Sequence, residues 1–182
     1  MYPGRILLGF SIRFFFGIVL GALLIYWQKI FLLNQVGFLE ESTLKQLEFA
    51  MFQPRALFLF LLKRSLCFYL VLFLLATGDY RKRGIDLVCI VMGFMQGVFL
   101  AVAYMRFGRL GAWLYLTAQF PGGIAWLLCF FMIYAVCQIS IDYHKLRVFG
   151  VGALLVTIGA WTQSYVNPFL LQKFLHVFFS KI

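Results

Sequence analysis

The longest uncharged run in the chain, Leu110 to Ile141, carries Pro121-Gly122-Gly123 near its middle. At about 1.5 Å per residue a straight helix of that length would measure roughly 48 Å, against a hydrocarbon core of about 30 Å. Proline removes an intrahelical hydrogen bond and clashes with the preceding turn. The run therefore predicts a short helix over "GAWLYLTAQF", a break at Pro121-Gly122-Gly123, and a full span over "IAWLLCFFMIYAVCQI". A break at membrane depth frees backbone amides and carbonyls, which only protein or enclosed water can satisfy. Thr117, Gln119, Gln138 and Gln163 are the polar side chains nearest to hand.

Composition fixes the solvent. Hydrophobic residues make up 64% of the chain and charged residues 12%, where globular domains carry roughly 25% charged. The runs Phe14–Gln28, Ser65–Gly78, Leu87–Met105 and Val148–Gln172 join the long one as five hydrophobic blocks. The expectation is an all-α integral membrane protein, a single polytopic domain over 1–182 with about five transmembrane helices. The fourth of these is preceded by a short broken or re-entrant helix.

Charged residues border the first two blocks. Arg5 and Arg13 precede the first as in a secretory signal, but its exit, "LLIYWQKIF", is bulky where a peptidase needs small residues. The block reads as a retained anchor, with Tyr26 and Trp27 in the interfacial aromatic belt and Lys29 snorkelling. The second block would reach only about 21 Å. Either the helix extends back past Lys63 and Arg64, or "PRALFLFLLKRS" is an interfacial helix bending into the span, an option Pro54 favours. Ahead of it, residues 34–55 hold Glu40, Glu41 and Glu48, with Leu44, Leu47 and Met51 at helical spacing. That predicts a short amphipathic extracytoplasmic segment.

Basic residues set the orientation. With the N-terminus cytoplasmic, Arg5, Arg13, the run Arg81-Lys82-Arg83, Lys145 and Arg147 lie inside. Raw counting of Lys and Arg favours the other side. The density of "GDYRKRG", and the glutamates that accompany the outer charges, favour N-in. A net charge of +10 matches anionic lipid headgroups as partners. Nucleic acid is not expected, because no soluble basic surface exists to receive it.

Catalytic patterns are missing. His144 and His176 form no metal pair, and Asp142 with His144 sits in a short basic turn. Cys67, Cys89, Cys129 and Cys137 all fall inside hydrophobic blocks without C-x-x-C spacing, and read as small apolar side chains. No catalytic residue, cofactor or metal ligand is assigned, and the chain is not expected to be an enzyme. Glycines are more informative. Gly17 and Gly21 form a small-xxx-small pair in the first block, and Gly93, Gly97 and Ala101 form a ridge in the third. In lipid, helices associate where small residues let backbones approach, so these two spans are expected to pack closely, against a helix of this chain or of another protein, a homo-oligomer included.

The stretch "GRLGAWLYLTAQFPGGIAWLLCFFMIYAVCQI" resembles the fourth-helix region of the stage II sporulation protein M family. The tail "VGALLVTIGAWTQSYVNPFLLQKFL" is similar to that family's last span, which closes on an aromatic, two residues and a proline, here Tyr165-Val166-Asn167-Pro168. Family members often carry Pro-His-Gly and then a glutamate, where this chain has Pro121-Gly122-Gly123 and Trp126. They also often carry a glutamate five residues before the terminal proline, where this chain has Gln163. The resemblance implies a non-catalytic membrane scaffold that anchors peptidoglycan hydrolases, the stage II proteins D and P, during septal thinning and engulfment. Its location would be the cytoplasmic membrane of an endospore-forming bacterium. The outside segment Asn34 to Arg55 with the glycine seams would form the contact surface for those hydrolases, while Pro121, Gly122, Gly123, Asn167 and Pro168 would shape the bundle. The alternative expectation is a small membrane subunit of a transporter, of the ABC or energy-coupling type.

Overall fold

The structure is a computed structural model describing residues 3–28, 44, 46, 53–78, 81–139 and 145–179. Its helices, in chain order, are α1 (Pro3–Trp27), α2 (Pro54–Thr77), α3 (Arg81–Gln119), α4 (Gly122–Ile139), α5 (Lys145–Tyr165) and α6 (Asn167–Phe179), and no strand occurs among the described residues. Among the described residues, four helices are long and apolar enough to cross a membrane: α1, α2, α3 and α5. α4 is apolar but shorter. The surface is apolar as well: Leu8, Phe15, Leu74 and Trp113 are each more than 60% exposed. Water would not tolerate that much apolar surface, and lipid does. This is a multi-pass helical membrane protein.

Pro54 begins α2 as its first helical residue, after Gln53 in an extended conformation. Its missing N–H falls where a helix leaves amides unpaired in any case. α2 then runs unbroken through Lys63 and Arg64 to Thr77. Of the two options the sequence leaves open, the backward extension is the one observed. α1 likewise starts well before Phe14 and takes in both Arg5 and Arg13.

α3 is not a single rod. Gly108, at φ 60° and ψ −141°, divides it into arms 81–107 and 109–119. Only glycine adopts such angles without strain. The second arm doubles back along the first, since a Cβ on buried Gly111 would collide with the Ala103 carbonyl, and the amide of Gln119 reaches Gln96 at 3.3 Å. The first arm measures about 40 Å; the return, made of the second arm and α4, adds about 16 and about 27 Å. The long uncharged run is thus one return path in two pieces.

Neighbouring contacts give the directions. α1 and α3 run parallel, with Gly17 beside Gly93 and Gly21 beside Val98. α2 and α5 are antiparallel, Phe58 meeting Tyr165 and Phe73 meeting Phe149. α4 and α5 are antiparallel too, Gly122 against Gln163 and Cys129 against Gly152. Among the described residues the buried core has two parts. One gathers Phe10, Tyr69, Ile85, Cys89, Phe130 and Val156. The other, at the end holding the Gly108 turn, gathers Ile25, Leu44, Val102, Ala103, Leu114 and Leu175. Of the amphipathic segment at 34–55, only Leu44, Gln46 and 53–55 are described, and Leu44 is buried in this second part.

Candidate functional site

Three features organise the bundle. The first is the seam between α1 and α3. An added Cβ would strike the Ile90 carbonyl at Gly17, the Phe94 carbonyl at Gly21, the Phe14 carbonyl at Gly93 and the Ile18 carbonyl at Gly97. All four glycines are buried. Every colliding atom is backbone, so no rotamer change relieves the clash. The two ridges read from the sequence face each other inside this chain.

The second feature is the break. Phe120 N donates to Leu116 O at 3.0 Å, and Ile124 N donates to Pro121 O at 3.1 Å. The Ala118 carbonyl, which has no helical successor, receives the side-chain amide of Asn167 at 2.6 Å. Asn167 is 9% exposed and opens α6 directly after the joint at Val166. Two discontinuous helices therefore meet break to break. Beside them, Gln96 Oε1 accepts from the Tyr115 hydroxyl and from Gln119 Nε2. Interhelical bonds of this kind replace the water that lipid cannot supply.

Pro121 forms the turn, and its peptide with Phe120 is cis. Gly122 and Gly123 are helical and occupy the first turn of α4. A Cβ on Gly122 would strike the Gln163 side chain, and one on Gly123 would come 3.0 Å from Gln119 Oε1. The one glycine of positive φ among the described residues is Gly108. Of the polar residues expected to serve the break, Gln119 and Gln163 lie there. Thr117 instead bonds the Trp113 carbonyl within its own helix, at 2.8 Å. Gln138 lies four turns farther along α4 and bonds Asp86. Gln96 was the missed partner; a solitary glutamine in an uncharged block was its only signal. Pro168 follows Asn167 in the first turn of α6, where its missing amide costs no helical bond.

The third feature is an ion pair. Arg13 Nε lies 2.9 Å from Asp86 Oδ1, with both side chains about a third exposed or less. Arg13 Nη1 also donates to the Gly9 carbonyl and to the Tyr134 hydroxyl, each at 3.0 Å. Gln138 Nε2 donates to Asp86 Oδ1 at 3.3 Å. Sequence reading treats Arg13 as a flanking charge, and here it joins Asp86 in tying α1, α3 and α4 together. Asp142 and His144 lie outside the described residues. Among those described, no group of three or more His, Cys, Asp or Glu side chains is placed to hold a metal.

Comparison of the chain with protein-family models, with curated proteins and with solved structures finds no match.

Proposed function

We propose that this protein is a non-catalytic scaffold of a bacterial cytoplasmic membrane, crossing it five times with the N-terminus inside. The crossings are α1, α2, the first arm of α3, the second arm with α4, and α5 with α6. The observation that carries the scaffold reading is the glycine seam, where backbone meets backbone with no side chain between. Alternating access requires elements that slide or rock, and an interface with no give between α1 and α3 suits a fixed frame. The break supports the same reading: its polar groups are neutral and, the buried Asn167 Oδ1 apart, largely bonded to one another or to backbone. The resemblance to the stage II sporulation protein M family adds the setting, with the chain localising peptidoglycan hydrolases during engulfment.

A transporter subunit is the second reading. It is favoured by two discontinuous helices meeting beside Gln96, Tyr115 and Gln119. Substitutions in the host separate the two. For a scaffold, Gln119→Leu, Gln138→Leu and Gln163→Leu, made singly, are tolerated, while Gly97→Ile abolishes recovery of a cell-wall hydrolase with the protein and stalls engulfment. Loss of function in the glutamine variants, with the protein inserted and folded, would favour a polar pathway and reject the scaffold.

A further inference from the structure

Lys63 and Arg64 stand near the middle of α2, about 13 Å of helix from Pro54 and about 20 Å from Thr77. Both are exposed, and among the described residues neither has an ion-pair or hydrogen-bond partner. Ring contacts fix their level in the bundle. Phe58 meets Tyr165, at the joint between α5 and α6, with ring centroids 6.4 Å apart. Phe68 meets Trp126, one turn past the Pro121 break, at 6.0 Å. The basic pair between them is therefore level with the Pro121 break and about 8 Å along α2 from the α5–α6 joint. That is farther from either end of α2 than snorkelling side chains cover. Charges inside a membrane nearly always face a bundle interior and pair there; these two face outward.

The surrounding surface has a pattern. Ala56, Phe60, Lys63, Cys67, Leu70 and Leu74 recur at alternating steps of four and three, and all six are exposed. That is the spacing of a helix seam that receives another helix. A charged residue at its centre sets register and partner choice.

We propose that this face of α2 docks a transmembrane helix of a different membrane protein, whose aspartate or glutamate near mid-span pairs with Lys63 and Arg64. Among the described residues, a second copy offers no free anion. A symmetric contact would set both cations against their own copies, and the one acidic residue among the described helices, Asp86, already pairs with Arg13. Lipid phosphates lie at the headgroup level, away from the middle of α2. The proposal rests on the scaffold reading in one respect only, that a membrane partner exists.

Site-specific photocrosslinking tests it. Benzoylphenylalanine is placed at Phe60 or Leu70, and for comparison at Val19 on the exposed side of α1, in the full chain in its host membrane. The expected result is an adduct with one membrane protein bearing a mid-span carboxylate, from positions 60 and 70 and not from 19. Changing Lys63→Leu with Arg64→Leu should lower that adduct at least tenfold while leaving thermal stability in detergent unchanged, since neither side chain contributes a bond within the bundle. Lys63→Glu with Arg64→Glu should also abolish it, and lysine in place of the partner's carboxylate should restore it. Adducts with phospholipid alone, with a second copy, or with a protein lacking such a carboxylate would overturn the proposal, as would an adduct unaffected by the leucine pair. Capture of a hydrolase through some other face would sink this docking surface and leave the scaffold standing. An acid-bearing transport ATPase on α2 would do the reverse.

Discussion

Arg13 on α1 and Asp86 on α3 meet at 2.9 Å, one helical turn from Gly17 and two from Gly93, and Tyr134 and Gln138 of α4 complete their bonding. Parallel packing puts Asp86 level with Phe10. The arginine reaches it because helical side chains lean toward the N-terminus. One pair thus joins three helices.

Removing one partner should therefore cost more than removing both. Asp86→Asn leaves the guanidinium without its anion and should lose about 2 kcal/mol, the usual worth of a hydrogen bond to a charged group. Adding Arg13→Gln should recover part of that loss, because no uncompensated charge is left behind. Thermal unfolding of the purified variants in detergent measures both. A double variant less stable than Asp86→Asn would contradict the clamp.

At the seam, alanine should be too large. Gly17→Ala, Gly21→Ala, Gly93→Ala and Gly97→Ala each drive a methyl into a carbonyl oxygen, with an expected loss of about 3 kcal/mol, toward the upper end for overpacking. Gly84 and Gly150 are helical glycines with nothing within 4 Å of an added Cβ. Alanine there should be neutral or stabilising by up to about 1 kcal/mol. The same unfolding assay compares the two sets, and equal effects would mean that the seam is loose.

Several of these features were legible in the chain. Gly17, Gly21, Gly93 and Gly97 announce close approach because small residues four apart line one helix face and let backbones approach, and the excess length of Leu110–Ile141 requires an interruption where Pro121 stands. Pairing across the sequence was not legible. Nothing local to Arg13 distinguishes a flanking charge from one bonded to Asp86, and Asn167 next to Pro168 does not reveal that its amide closes Ala118. The reversal at Gly108 was legible only as a boundary, since Arg106 and Arg109 interrupt the apolar run. The depth of Lys63 and Arg64 depends on α2 continuing unbroken, which local sequence left undecided.

Within the polar cluster at the break, Gln96 should matter more than Gln119. Its Oε1 accepts from two donors, so Gln96→Leu strands the Tyr115 hydroxyl proton and leaves the Gln119 amide only its bond to Tyr115, with an expected cost of about 1–2 kcal/mol. Gln119→Leu removes one donor and should cost about 0.6 kcal/mol, the average for interhelical bonds in membranes. Unfolding midpoints decide it, and a larger loss at Gln119 would contradict the shared acceptor.

Gly122 and Gly123 are adjacent but should respond differently to alanine. At Gly122 the obstacle is the Gln163 side chain, with the Gly159 carbonyl at 3.0 Å; at Gly123 it is the movable amide of Gln119. Gly122→Ala should thus be the more destabilising, by about 1–2 kcal/mol, and Gln163→Ala in the same chain should relieve most of that. A double-mutant cycle reads the coupling. Additive effects would show that the two residues do not touch.

The arrangement across the membrane carries everything else, and impermeant maleimide labelling of intact cells tests it most directly. In a background with Cys67, Cys89, Cys129 and Cys137 replaced, single cysteines are introduced at Ser42, Arg109 and Tyr80. Five crossings with the N-terminus inside predict that Ser42→Cys and Arg109→Cys react from outside, and that Tyr80→Cys reacts only after the cells are opened. Labelling of Tyr80→Cys in intact cells, with Ser42→Cys and Arg109→Cys protected, would contradict the orientation; opposite behaviour of Ser42→Cys and Arg109→Cys would contradict the parallel course of α1 and α3.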